Sequence, residues 1–210
     1  MQVNRCVIIG GADIGDYSQT GRNLRRDDFF ICCDSGLRHA DKLHIIPSLI
    51  VGDFDSSEQP DTDIETIVLP REKYDTDTVF AAKEAVRRGF DDFLLIGVTG
   101  ARFDHTFGNV SLLLWLDSIG KKAKIADDYS EMEIVSRKTA EIEDTYAFFS
   151  LLNISGTAQD ITIRGSKYPL EGAEISSEYQ YGISNEVIPG GKAAVSVGNG
   201  RLLLVKVFRG

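Results

Sequence analysis

Leu49-Ile50-Val51-Gly52-Asp53-Phe54-Asp55-Ser56 is the stretch from which the fold can be read. Its apolar run suits a strand covered on both faces, as in a parallel sheet. The strand then releases two carboxylates, Asp53 and Asp55, two positions apart. Residues just past the end of such a strand stand at the rim where open α/β sheets bind ligands. A lone Asp-x-Asp more often serves a turn or a helix cap, so its meaning depends on its neighbours at that rim.

Other strands end in the same manner. Arg5-Cys6-Val7-Ile8-Ile9 runs into Gly10-Gly11, where the backbone can turn sharply and approach a ligand. The later glycines of a dinucleotide fingerprint and the Lys-Ser/Thr of a P-loop are missing, so this pair alone reads as a plain strand-to-loop turn. Phe29-Phe30-Ile31-Cys32-Cys33 is followed by Asp34-Ser35-Gly36, with a short helix expected over 37–43. Three successive strands ending in small or acidic residues point to a ligand-binding rim.

A further strand is expected over 64–69, closed by Pro70. Asp75-Thr76-Asp77-Thr78 then precedes a helix over 79–88, with Gly89 as its stop. Either Asp75 or Asp77 could cap that helix, and a helix N-terminus is also a phosphate site. Asp53, Asp55, Asp75 and Asp77 gathered at one rim would repel each other without a hard cation. Mg²⁺ is the natural candidate and usually accompanies a phosphorylated substrate. The buried strand 93–96 opens into Gly97-Val98-Thr99-Gly100-Ala101-Arg102-Phe103-Asp104-His105. Arg102 suits a bidentate grip on phosphate. His105 beside Asp104 suits capping of the next helix, over 110–119, better than acid–base work.

After Lys121 helical periodicity gives way to short strands at 148–154, 161–164, 193–197 and 202–208. Asn199-Gly200 between the last two is a hairpin signal. The expected architecture is an α/β domain with a mostly parallel sheet over 1–125, then a small all-β sandwich over 135–210.

At 210 residues, 42% hydrophobic and 26% charged, the composition is that of a soluble globular protein with ample core. A net charge of −9 and a pI near 4.8 argue against nucleic-acid and anionic-membrane partners. No apolar run approaches a membrane span, and no signal peptide precedes the first strand, so a cytoplasmic protein is expected. Cys6, Cys32 and Cys33 lack zinc-ligand spacing and read as buried, reduced thiols. His39, His44 and His105 are too scattered for a metal motif.

With these segments laid out, the sequence closely resembles the thiamine pyrophosphokinase family. The 49–56 stretch looks like that family's signature strand and loop. Asp75-Thr76-Asp77-Thr78 and the 97–105 loop resemble its second and third motifs. Gly165-Ser166-Lys167-Tyr168-Pro169-Leu170 and Gly182-Ile183-Ser184-Asn185-Glu186 match its two β-domain motifs, in the family's order. There are departures. The family commonly has Asp-Gly-Gly where this chain has Asp34-Ser35-Gly36, and an acid where it has Tyr74; Asp75 is the candidate substitute for that acid. Some members carry Trp at the position of Tyr168.

The resemblance implies transfer of a diphosphate group from ATP to the hydroxyl of thiamine, giving thiamine diphosphate and AMP. It implies Mg²⁺ on Asp53, Asp55, Asp75 and Asp77, with Asp53, Asp55, Asp77 and Arg102 as the catalytic set. Nucleotide contacts are implied at Asp34, Ser35, Gly36, Thr76, Thr99, Arg102, Asp104 and His105, and thiamine contacts at Tyr168, Ser184 and Asn185. It also implies a homodimer, each active site joining the α/β domain of one subunit to the β domain of the other. The rival readings are a diphosphokinase for a hydroxymethylpterin, a non-catalytic sensor of nucleotide or thiamine, and a structural protein whose acids only cap turns.

Overall fold

The computed structural model describes residues 5–55, 59–72, 74–100 and 102–209. Ser56 and Ala101, each within a quoted motif, lie outside the described residues. The chain divides into two compact units, Met1–Asp128 and Tyr129–Gly210.

The first unit contains strands β1 (Arg5–Ile9), β2 (Phe29–Cys33), β3 (Leu49–Gly52), β4 (Thr66–Val68), β5 (Asp92–Ile96) and β6 (Lys122–Ala126). Between them run helices α1 (Tyr17–Gly21), α2 (Ala40–Leu43), α3 (Asp77–Arg87) and α4 (Phe103–Ser118), with a 3-10 turn over Asp34–His39. The strands lie in the order β6-β5-β1-β2-β3-β4, and every pairing is parallel. The continuous apolar runs follow from this, because β1 and β3 are buried throughout. From β1 the order advances one way through β4 and the other way through β5 and β6. The loops leaving β1 and β5 therefore diverge, and a crevice opens at this switch point.

An ion pair is drawn into this core. Arg5 starts β1 with Nε donating to Asp28 Oδ1 at 2.7 Å and Nη2 donating to Oδ2 at 2.6 Å. Nη2 also donates to the Asn23 carbonyl at 2.7 Å, and Asp28 Oδ2 accepts from the Arg25 amide at 2.7 Å. Asp28's side chain is 1% exposed, so each ion depends on the other. The three cysteines are free and buried as expected. Burial pushes the Cys32 thiol up to about 12 and holds Cys6 and Cys33 well above the ordinary thiol range, which leaves them unreactive.

The second unit is all β: β7 (Ser130–Val135), β8 (Ala140–Glu143), β9 (Tyr146–Leu152), β10 (Thr157–Arg164), β11 (Leu170–Ser176), β12 (Gly182–Asn185), β13 (Lys192–Ser196) and β14 (Leu202–Phe208). They form two antiparallel sheets, β12-β9-β14-β7 and β11-β10-β13-β8. Ile161, Ile175 and Val195 from one sheet and Phe149, Leu151 and Leu204 from the other share one core, which makes this unit a sandwich. The same face of β14 continues to Lys206, whose Nζ lies 3.0 Å from Glu131 and 2.8 Å from Glu133. Burial alone would lower its pKa, but Glu133 and Glu131 outweigh that and keep it protonated.

The fold class holds, but several local expectations do not. Asn199-Gly200 makes no hairpin, because β13 pairs with β10 and β8 while β14 pairs with β9 and β7. The chain instead crosses between the sheets there. A Cβ on Gly200 (φ +93°) would sit 2.7 Å from the Thr157 carbonyl oxygen, so the glycine permits the crossing rather than a two-residue turn. The strand expected over 64–69 shortens to Thr66–Val68. The helix expected over 37–43 begins as the 3-10 turn at Asp34. Helix α4 starts at Phe103 rather than near Val110, because its first two turns carry the polar residues of the rim and hide the apolar period.

Candidate active site

The loops leaving β1, β2, β3 and β5, with the approach to α3 and the first turns of α4, surround one cleft of about 700 Å³. Carboxylate oxygens of Asp34, Asp53 and Asp55 lie within 4.8 Å of one another there. Local backbone brings this about. A Cβ on Gly52 would lie 3.2 Å from both Cα and Cβ of Asp34, so the bare glycine lets the ends of β2 and β3 exit side by side. Phe54 then adopts a left-handed conformation (φ +51°), and the Asp55 amide donates to Asp53 Oδ1 at 3.3 Å. Such a conformation is strained for a bulky side chain, and strain of this kind concentrates at functional sites.

Asp75 and Asp77 line the same cleft, but the tight group of carboxylates contains Asp34 in their place. Lys83 Nζ donates to both oxygens of Asp75, at 3.0 and 2.7 Å. Neither acid caps α3; Thr76 does, its hydroxyl accepting from the Val79 amide at 3.3 Å. Asp77 occupies the first turn, where the helix dipole favours a negative charge.

Ser35, Thr99 and His105 also line the cleft, and Thr99 Oγ1 donates to Asp127 Oδ2 at 3.2 Å. Gly36 lies beneath the rim, buried, and is not part of the lining. Arg102 lines the cleft and grips Asp104 through Nε (2.9 Å) and Nη2 (2.6 Å). The guanidinium holds Asp104's carboxyl far below the usual carboxylate range. Arg102 occupies the N-cap position of α4 with no side-chain capping bond, so the expected cap by Asp104 and His105 is not the arrangement present. Thr106 Oγ1 accepts from the Gly100 amide at 3.1 Å instead.

Sequence reasoning passed over several lining residues. Gly10, Gly11, Ala12 and Asp13 form part of the wall, although the Gly pair alone reads as a plain turn. Arg38 Nη2 pins that wall, donating to the Gly11 carbonyl (2.8 Å) and to Asp13 (2.6 Å). Arg71 and Asn109 also contribute. A signal for Asn109 existed: Arg102, His105 and Asn109 recur at spacings of three and four, one face of a helix.

His39 supports the glycine wall from behind and is 1% exposed. Its Nε2 lies 2.9 Å from the Ala12 carbonyl, which can only accept, so Nε2 carries the proton and Nδ1 accepts from Tyr17 Oη at 2.7 Å. Burial holds its pKa below the ordinary 6.5. The unfolded chain therefore takes up a proton that the native state resists, and stability falls as pH drops below about 6.5. His39→Ala is expected to cost about 1–3 kcal/mol at pH 7 by orphaning the Ala12 carbonyl. Its deficit against the parent should shrink at pH 5, which urea midpoints at the two pH values would measure.

In the second unit, Tyr168 is 58% exposed and Lys167 Nζ stands 5.6 Å from its ring centroid. Ser184 is exposed and left-handed (φ +57°). Asn185 is buried, and its amide engages the chain itself.

Residues 21–126 match the sequence model of the thiamin pyrophosphokinase catalytic domain, and 133–202 match that of the thiamin pyrophosphokinase vitamin B1 binding domain. The chain belongs to the thiamin pyrophosphokinase family. It is 30% identical over 170 residues to thiamine pyrophosphokinase of Bacillus subtilis (strain 168), covering 77% of this chain and 79% of that protein. Like other thiamin pyrophosphokinases, it is a transferase. The crystal structure of the Bacillus subtilis thiamine pyrophosphokinase shares the fold with a TM-score of 0.87 at 22% identity, over 98% of this chain and 100% of that one. That of the Geobacillus thermodenitrificans thiamin pyrophosphokinase gives 0.84 at 27% identity, over 98% of each. Among the described residues, no helix of this family member is long and apolar enough to cross a membrane.

Proposed function

We propose that this chain transfers the diphosphate group of ATP to the hydroxyl of thiamine, producing thiamine diphosphate and AMP with Mg²⁺ bound. The observation that carries the reading is the convergence of Asp34, Asp53 and Asp55 in a cleft that Arg102 also lines. Three carboxylate oxygens so close together are hard donors suited to Mg²⁺, and Asp77 lines the same cleft. Bound there, the ion would neutralise the triphosphate and hold it in line for attack at the β-phosphorus.

The chain's own groups do the rest. The amides and small side chains of 10–12 and 97–100 let the nucleotide come close to the sheet's rim. Thr76, Thr99 and His105 offer it hydrogen bonds. Arg102 stabilises charge on the transferred group or on departing AMP, exchanging its grip on Asp104 for phosphate oxygens. Tyr168 offers a ring to the cationic thiazolium, and Ser184 offers a hydroxyl to the aminopyrimidine edge. Asp75, held by Lys83, lines the same cleft.

The homodimer belongs to the same proposal. Phe148 (43% exposed), Val205, Val207, Met132 and Ile134 share the face of the β12-β9-β14-β7 sheet that points away from the sandwich core, and Ile183 (55% exposed) flanks them on β12. An apolar sheet face of this kind suits an isologous contact with a second copy. Cytoplasmic residence fits the reduced thiols.

Incubation with ATP, Mg²⁺ and thiamine is expected to yield AMP and thiamine diphosphate in equal amounts. A hydroxymethylpterin should yield neither product. Absence of AMP with both acceptors would remove the kinase reading, and AMP with the pterin alone would transfer it to that rival.

A further inference from the structure

Strand β12 is irregular where it carries Ser184. Gly182 pairs with Leu151 and Asn185 with Phe149, so three steps on β12 answer two on β9. The extra residue is a β-bulge, a device that re-aims a side chain. Ser184 takes a left-handed conformation within it, a costly choice for a residue with a Cβ.

The bulge is held on both sides. The Ser184 amide donates to Ser150 Oγ on β9 at 3.0 Å. On the other side, Asn185 is 5% exposed and all its polar capacity is spent. Its Oδ1 accepts from the Tyr168 amide (3.0 Å) and the Glu186 amide (2.9 Å), while Nδ2 donates to the Tyr168 carbonyl (2.8 Å) and to Ser166 Oγ (3.4 Å). A side-chain amide has two hydrogens and two lone pairs, so nothing is left for a substrate. Both backbone groups of Tyr168 are thus fixed by one amide, as a neighbouring strand would fix them, and its ring projects exposed.

We propose that Ser150 and Asn185 are positioning residues that hold Ser184 and Tyr168 in one acceptor-binding surface, without touching the acceptor themselves. This rests on the reading that Tyr168 and Ser184 receive thiamine. It reassigns Asn185 from contact to support and brings in Ser150, which no motif marks.

The test uses the full chain, with thiamine varied at saturating ATP and thiamine binding measured by calorimetry. Ser150→Ala and Asn185→Asp are expected to raise the thiamine KM and Kd about tenfold, with kcat and the ATP KM kept within about twofold. Ser150→Thr, which retains the hydroxyl, should restore the parental KM. Should Asn185→Asp fail to fold by circular dichroism, the Ser150 pair carries the test alone. An unchanged thiamine KM in Ser150→Ala, with Tyr168→Ala raising it, overturns the positioning role. Equal losses toward ATP and thiamine, or no rescue by threonine, overturn it as well, since those mark general damage. No effect of Tyr168→Ala or Ser184→Ala on thiamine would instead overturn the underlying reading, and the positioning role with it.

Discussion

Asp55→Asn is expected to lower turnover by at least about a hundredfold, more than the loss usual for a group that merely supports a metal ligand. The fold should be unaffected, because Asp55 is exposed and its exchange removes one negative charge from a crowded trio. The carboxylate becomes a neutral amide that still accepts a hydrogen bond but no longer offsets cationic charge. Steady-state rates over a Mg²⁺ series, with a thermal melt beside them, would check both halves. Near-parental activity at limiting Mg²⁺ would take Asp55 out of the site. The same variant probes the proposed homodimer and whether each active site joins two subunits. Mixed with Tyr168→Ala in re-associated dimers, it should recover about a quarter of parental activity, because half the dimers would carry one wholly intact site. No recovery would place each site within a single subunit.

Asp28→Ala is the change expected to cost most in stability, about 3–5 kcal/mol, because it leaves the Arg5 guanidinium buried with no counter-charge. Against a typical total of about 5–15 kcal/mol, that loss would expose the first unit to unfolding near physiological temperature. The double variant Arg5→Met with Asp28→Leu removes both ions together and should recover most of the loss. Urea midpoints of the three proteins would measure this. A single variant as stable as the parent would mean that water reaches Arg5 from the protein's edge.

What could be read from the sequence depended on whether a residue's meaning was local. The parallel sheet was readable because strands buried on both faces leave continuous apolar runs, such as 5–9 and 49–51. The acids at the strand ends were readable as a rim for the same reason. Their grouping was not, since Asp34 meets Asp53 and Asp55 only through the pairing of β2 with β3 and the clearance at Gly52. The first turns of α4 escaped because cleft-facing polar residues interrupt the apolar period. The Asn199-Gly200 signal misled because turn chemistry says how sharply a chain bends and nothing about which sheet it enters next. Asn185 was recognisable by its motif, whereas its saturation by Tyr168, Ser166 and Glu186 follows only from their distances.

The crossing at Gly200 also fixes an order of events during synthesis. Strand β14 lies between β7 and β9, yet it is the last strand of the unit to leave the ribosome. Until Leu202–Phe208 emerges, β7 and β9 have no common neighbour and Phe149 and Leu151 lack part of their cover. The first unit, already made, can fold while the second waits as an open set of strand edges. A nascent chain stalled just short of Leu202 would therefore pair a finished α/β unit with an adhesive, half-built sandwich.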